Sequence, residues 1–422
     1  MTHPSGDVSS SRPPVEPGPF DAGGGPRPTK QRIVVLDAVR GLALFGILMV
    51  NAPLFFWPSQ FIPLGGIPAP TFVDDAATAL VRFGFEGKFF TIFSLLFGIG
   101  VALQLSRGHS AWLIVRRLVL LALFGAVHVT FFWWGDILLH YGVLGLALVA
   151  TRRWSAPRLV RTAFILLAVP VVLQLGLAAL GSLSATSPEG AAAFEAAMAE
   201  SDAALAAEGR EALAVYAGSD VVAAAALRWR DWGFSTVGTL FSGMLLIVVA
   251  MFFFGAAAQR SGWLEAAAAD RWRWLFVRTL PVAVIANALY AWGSLSGALY
   301  GFGTWPAALA SIAFVVGAPT GALAIATGAA LALRSEGPVA RSLAAVGRLA
   351  LSTYLAQSLV MTTLAYGYGL GLYGTITHGQ AVGLAIVLFA LQVPLAVLYA
   401  RRFRFGPAEW LWRAGTYGRP PS

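Results

Sequence analysis

The sequence predicts an all-α polytopic membrane protein, a bundle of about ten transmembrane helices with both termini cytoplasmic. Three observations carry that expectation. Only 12% of the 422 residues are charged while 58% are hydrophobic, and an ordinary soluble domain has about twice that charged share. Ten runs approach the ~20 apolar residues a helix needs to cross a bilayer. The basic residues collect in alternate connections between those runs.

The elements follow in order. Residues 1–31 are rich in Pro, Gly and Ser and read as a disordered cytoplasmic tail. They hold no short apolar stretch with a cleavage site, so they are not a secretory signal. The expected spans lie at about 38–57, 88–106, 113–133, 135–150, 160–182, 235–258, 275–295, 307–333, 342–365 and 380–400. The fourth is short, and Pro394 interrupts the tenth. Residues 72–85, with Asp74, Asp75 and Arg82, read as an amphipathic interfacial helix. Residues 183–234 read as an acidic, Ala-rich, partly helical loop outside the cell. The chain thus divides into the tail, an N-terminal membrane half (32–182), that loop, a C-terminal half (235–400) and an interfacial cytoplasmic tail (401–422).

Charge sets the orientation. The termini and the connections at 107–117, 151–161, 259–278, 334–348 and 401–422 hold 24 of the 29 basic and 8 of the 20 acidic residues, a net +16. The other side is net −7, so the basic side is expected to be cytoplasmic. The total charge of +9 is therefore a boundary signal, and nucleic acid is not expected as a partner. The absence of Cys excludes a disulfide scaffold, a thiolate zinc site and an Fe–S protein. No metal-ligand cluster and no Walker loop is evident. The glycines of GFG (301–303) and GYGLGLYG (367–374), in outward loops, are weak signals on their own.

Several polar residues inside or beside spans are candidates for chemistry. Arg40 and Asn51 are eleven apart in the first span, on one helix face and about 16 Å apart along the axis. Snorkelling and an interhelical hydrogen bond are their plain alternatives, and Asp37 can cap the helix. His128 is the best candidate base; an interhelical bond is its alternative. Asp136 follows eight residues later and either caps the fourth span or orients His128. His140 can share its hydrogen bonds. Lys88, the only Lys beyond the tail, either snorkels beside Glu86 or faces an outer cavity with Asn51 and Asp136. Tyr354 and Gln357, three apart, form a cavity wall or interhelical glue. Arg348 snorkels. Glu409 and Arg413 are an i, i+4 pair on a short helix begun by Gly406-Pro407, with Trp410 and Trp412 suited to an interface.

The segment RIVVLDAVRGLALFGILMVNAPLFFW (32–57) resembles the first helix of the YeiB-like family of bacterial membrane proteins, domain of unknown function 418. EGKFFTIFSLLFGIG (86–100), RRLVLLALFGAVHVTFFWWGDILLHYGVLGL (116–146), GRLALSTYLAQSL (347–359) and FRFGPAEWLWRAGTY (403–417) extend the resemblance in the same order. The family's first helix is similar to that of wider transmembrane acyltransferases, the acyltransferase-three enzymes and heparan-α-glucosaminide N-acetyltransferase. The former carry a catalytic His where this chain has Asn51. The latter carry it eleven residues further on, where this chain has Ile62.

The resemblance implies a multi-pass protein of the bacterial cell membrane. It also implies acyl transfer from a cytoplasmic thioester, acetyl-CoA or another acyl-CoA, to an envelope glycan or lipid. No resident cofactor is expected, and homo-oligomerisation is left open. His128 would be the base, with Asp136 and Asn51 beside it. Arg40, Lys88, Tyr354, Gln357, Glu409 and Arg413 would contact substrate. Two other readings stand beside it, a permease for a small or lipid-linked substrate and a non-catalytic sensor or scaffold.

Overall fold

The computed structural model describes residues 30–58, 71–265, 268–335 and 337–421. Ile62 and nearly all of the expected N-terminal tail lie outside the described residues. Among the described residues every regular element is a helix. They are α1 (Lys30–Phe56), α2 (Phe72–Leu80) with a π turn (Val81–Phe85), α3 (Lys88–Ser106), α4 (Ala111–Phe131), α5 (Leu138–Leu144), α6 (Leu146–Ala150), α7 (Ala156–Ser184) and α8 (Pro188–Ala217). The rest are α9 (Val221–Phe241), α10 (Met244–Arg260), α11 (Ala269–Leu295), α12 (Trp305–Ala332), α13 (Pro338–Arg348), α14 (Ala350–Ala365), α15 (His378–Arg402) and α16 (Pro407–Tyr417), with short 3₁₀ turns between some of them. α7, α8, α12, α13 and α16 carry Pro in their first two positions, where no intrahelical N–H is lost.

Seven helical runs among the described residues are long and apolar enough to cross a membrane, and the number rises to nine if each of two bent pairs is one span. The expected fourth span is too short to count, because its helix runs only from Leu138 to Ala150. The bent pairs are α9–α10, turned by 69°, and α13–α14, turned by 79°. Large apolar side chains such as Leu123, Val127, Ile165, Val172, Ile285 and Leu391 point outward, which suits a lipid bilayer and no aqueous surface of this extent. The chain is a polytopic helical membrane bundle.

The expected polar loop is mostly α8 and α9, and the boundaries expected at 182, 234 and 400 fall inside α7, α9 and α15. Residues 72–85 are helical as expected. Thr71 and Asp74 close a capping box there, and Gly87, at φ 81°, turns the chain into α3.

Close crossings without side chains hold the bundle. A Cβ on Gly41 of α1 would strike the Leu343 carbonyl, and one on Gly347 of α13 would strike that of Asp37. Gly98 and Gly255 do the same for α3 and α10, against Phe252 and Leu95. Such contacts replace the hydrophobic drive that helices lack inside lipid. The α1–α13 crossing sets Asp37, Arg40 and Arg348 together at the basic end of the bundle. The end of α4 meets α9 at the opposite, acidic end, where Arg228 holds the Thr130 carbonyl.

Candidate functional site

The break between α13 and α14 organises the basic end. α14 starts afresh at Ala350, so its first backbone N–H groups need acceptors. Glu409, on α16, supplies them: one carboxylate oxygen accepts from Leu351 N at 2.6 Å and Ser352 N at 3.2 Å, the other from Ser352 Oγ at 2.5 Å. An anion at a helix N-terminus also meets the positive end of its dipole. The i, i+4 pair expected between Glu409 and Arg413 is absent among the described residues, because the carboxylate is committed to α14. The Arg413 guanidinium lies instead 4.3 Å from the centre of the Phe405 ring.

Beneath α16 lies a cavity of about 340 Å³, lined from α1, α3, α4, α13, α14 and α16. Arg40, Arg117, Arg348 and Arg413 surround it. Arg40 is paired with Asp37 at 2.5 Å, so Asp37 answers a cation seven residues inside α1 and does not cap it. The Arg117 guanidinium stacks 3.8 Å from the Trp412 ring centre, and Trp412 Nε1 donates to the Arg117 carbonyl at 2.9 Å. Trp412 thus turns into the protein, while Trp410 is exposed. The carboxylate lining the cavity, Glu409, is engaged by α14, so Arg117, Arg348 and Arg413 face it with no carboxylate ion pair among the described residues. Along α3 the lining runs from Gln104 to Phe93, a depth of roughly 16 Å at the helical rise.

Tyr354 is one of the lining residues. Its ring centre lies 5.2 Å from that of His128. His128 is fully buried in α4, and its Nδ1 is 2.9 Å from Asp136 Oδ2, without the alignment of a hydrogen bond. His128 Nε2 has no hydrogen-bond partner among the described residues. Asp136 does both things its position allowed: Oδ1 accepts from Leu139 N at 2.7 Å, capping α5, while Oδ2 faces the imidazole. Gly125 lets this turn approach α4, since a Cβ there would sit 2.6 Å from Asp136 Oδ1.

The other expected site residues lie apart. Asn51 is half-buried, lines no part of the large cavity and makes no side-chain hydrogen bond among the described residues. Lys88 does not face an outer cavity with Asn51 and Asp136. It is buried beside Glu86, donating to that residue's carbonyl at 2.8 Å, and a Cβ on Gly321 of α12 would meet its Cγ at 3.0 Å. Gln357 donates to Gln392 of α15 at 2.9 Å, which is interhelical glue. His140 holds the Asp136 carbonyl at 3.1 Å and the Thr236 hydroxyl at 3.0 Å, so both its nitrogens are engaged.

Beyond His128 a second polar group is buried at the acidic end. Tyr216 donates to Asp231 at 2.6 Å and stacks on Tyr366 at 4.8 Å. Arg228 donates twice to the Thr130 carbonyl, in the turn of α4 that follows His128, at 3.2 and 2.7 Å. Burial holds the phenols of Tyr216, Tyr366 and Tyr373 well above their ordinary pKa, so they stay protonated. Neither this group nor Arg117 stood out in the sequence. The one local signal was the i, i+3 spacing of Arg228 and Asp231 in an Ala-rich helix.

Comparison with known proteins fits this architecture. A family model described as "Protein of unknown function (DUF418)" matches residues 258–419. YeiB of Escherichia coli (strain K12) is 33% identical over 397 residues, covering 91% of this chain and 96% of that protein. The chain belongs to the YeiB-like DUF418 family. YxaH of Bacillus subtilis (strain 168) is 31% identical over 410 residues, 93% of this chain and 96% of its own length. A 39.9 kDa protein encoded in the amylase 3′ region of Bacillus acidopullulyticus is 25% identical over 409 residues, covering 92% and 95%. All three are described as uncharacterised. No solved structure matches the chain. The matched family region spans α11 to α16 and so includes Tyr354, Glu409 and Arg413, whereas His128 and Asp136 lie in the part that the whole-length relatives cover.

Proposed function

We propose that this DUF418 protein is a membrane-embedded acyltransferase of the bacterial cell membrane, with its basic end in the cytoplasm. The observation that carries the reading is the meeting of two features at one residue. Tyr354 lines the arginine-bearing cavity, and its ring lies 5.2 Å from a buried His128 whose Nε2 has no hydrogen-bond partner among the described residues.

The cavity suits the phosphate-bearing end of an acyl thioester such as acetyl-CoA. Guanidinium groups bind phosphate through paired N–H donors, and those of Arg117 and Arg413 are already held on aromatic rings. Tyr354 turns aside to admit the acyl end. His128 Nε2 then takes the proton of an acceptor hydroxyl or amine as that atom attacks the thioester carbonyl. The new bond to the carbonyl carbon forms, the C–S bond breaks, and the leaving thiolate receives the proton from the imidazolium. Asp136 stabilises the imidazolium at Nδ1. The acceptor, an envelope glycan or lipid, approaches from the acidic end.

A permease is the second reading. A cavity of about 340 Å³ lined by arginines inside a helical membrane bundle also suits a substrate pathway. Purified protein mixed with acetyl-CoA and other acyl-CoAs separates the two. Acyl transfer requires release of free thiol that His128→Gln abolishes. No thiol release from any acyl-CoA, with the protein folded, would remove the acyltransferase reading and leave the permease.

A further inference from the structure

The helices around the basic-end cavity change from charged or polar to apolar as they enter the bundle. On α1, Arg40 is followed along the lining by Leu44 and Ile47, and on α4 Arg117 is followed by Leu118 and Leu121. On α3 the order inward is Gln104, Val101, Phe97 and Phe93, and from α13 into α14 Arg348 is followed by Leu351. One gradient is thus repeated on separate helices: a cationic end leads into an apolar interior.

The polar side chains of the interior are spent on the helices themselves. Tyr141 Oη donates to the Phe90 carbonyl at 2.9 Å and lies 2.7 Å from Ser94 Oγ. Gln104 Nε2 donates to the Gly100 carbonyl at 3.1 Å, and Tyr354 Oη reaches that of Gly135 at 3.5 Å. The interior therefore presents a ligand mainly with hydrocarbon, and burying an alkyl chain against it is favourable. At the cationic end the chemistry is reversed. Arg40 answers Asp37, and Glu409 is committed to α14. The guanidiniums of Arg117, Arg348 and Arg413 leave an excess of positive charge there, which suits a carboxylate or phosphate.

The volume selects one chain rather than two. The cavity's 340 Å³ lies near the small end of the roughly 300–1,000 Å³ found for single-ligand pockets. Gly100 is part of its lining, and a Cβ there meets nothing within 4 Å. We infer that the cavity binds a single-chain anionic amphiphile, with its carboxylate or phosphate head among Arg117, Arg348 and Arg413 and its alkyl chain between α1, α3 and α4. The same cavity receives the thioester donor proposed above, so the amphiphile and an acyl-CoA exclude each other. That consequence rests on the acyltransferase reading. The binding itself does not.

The test is photo-crosslinking of the full chain in phosphatidylcholine nanodiscs, with the labelled residues mapped by mass spectrometry. The probes carry a diazirine on the same alkyl chain: palmitic acid, a palmitoyl lysophosphatidic acid and the uncharged hexadecanol. An anionic probe is expected to label Phe97, Val101 or Leu121, and excess unlabelled probe of the same kind to suppress that labelling. Palmitate alone would name a free fatty acid as the occupant, lysophosphatidate alone a lipid phosphate, and either supports the site. Hexadecanol should label these residues at least about tenfold less, the worth of one charge-assisted hydrogen bond. Gly100→Phe fills the cavity from a position with room for a side chain. It should abolish cavity labelling and spare that of the outward-facing Ile285 and Leu391. Arg348→Gln should weaken labelling by the anionic probes roughly tenfold. Size-exclusion elution and far-UV circular dichroism check that each variant is folded. Should Gly100→Phe fail that check, the hexadecanol comparison and Arg348→Gln decide. Labelling confined to outward-facing residues, not suppressed by excess probe, equal with hexadecanol, or unchanged in a folded variant overturns the inference. Thiol release without saturable cavity labelling would overturn this inference only. Saturable labelling without thiol release would overturn acyl transfer only.

Discussion

The two compartments on either side of Tyr354 are built on opposite principles. Three of the four guanidiniums lining the basic-end cavity, those of Arg117, Arg348 and Arg413, rest on aromatic rings or a backbone carbonyl rather than on carboxylates, and only Arg40 is paired with one, Asp37. The compartment holding His128 and Asp136 is sealed, with both side chains inaccessible. Its charges are few and the imidazole keeps one nitrogen free. The proposed acyl transfer assigns binding to the first compartment and chemistry to the second, so substitutions on the two sides should divide between KM and kcat.

The largest expected effect is on the sealed side. His128→Gln should lower kcat by about a hundred- to ten-thousand-fold, the usual contribution of a general base. Its stability should change little, since interhelical polar contacts in membranes average about 0.6 kcal/mol. A comparable loss through KM alone would erase the distinction between the compartments. On the open side, Arg117→Lys should raise the KM for an acyl-CoA by roughly ten- to a hundredfold, the range of one charge-assisted hydrogen bond. Its kcat should stay near wild type, as steady-state titration of the donor would reveal.

Glu409→Gln tests the wall of the open cavity. It keeps the shape but removes the anion that caps α14, so a loss of about 1–2 kcal/mol is expected, seen as a lower Tm in detergent. The smallest effect belongs to Lys88→Met. Lys88 lies between α3 and α12, away from both compartments, so kcat and KM should stay within about twofold of wild type, inside the scatter of a change at a site without shared partners. A large change in either would place Lys88 back in the substrate path.

The bundle was legible because membrane spans declare themselves by length, apolarity and flanking charge. The His128–Asp136 encounter was also legible, since a short turn after α4 leaves few other places for Asp136. The break at Leu349 was not. GRLALSTYLAQSL reads as one continuous apolar helix, and the anion that stabilises the break lies 58 residues along the chain. The same long-range contact defeated the i, i+4 reading of Glu409 and Arg413. Lys88 and Asn51 were grouped with Asp136 by depth alone, and depth does not say which helix face meets which neighbour. The tyrosine group at the acidic end needs the fold of the 366–374 loop, whose glycines carry no chemical signature by themselves.

The most direct measurement of the central claim is a cryo-EM structure with a non-hydrolysable acyl-CoA analogue bound. The proposal expects the phosphates against Arg117 and Arg413 and Tyr354 rotated from its present contact with His128. The acyl carbonyl should then lie within a few ångströms of the space next to His128 Nε2, close enough for a positioned acceptor to attack. An analogue bound outside this cavity, or bound in it with Tyr354 unmoved and the acyl group pointing away from His128, would contradict it.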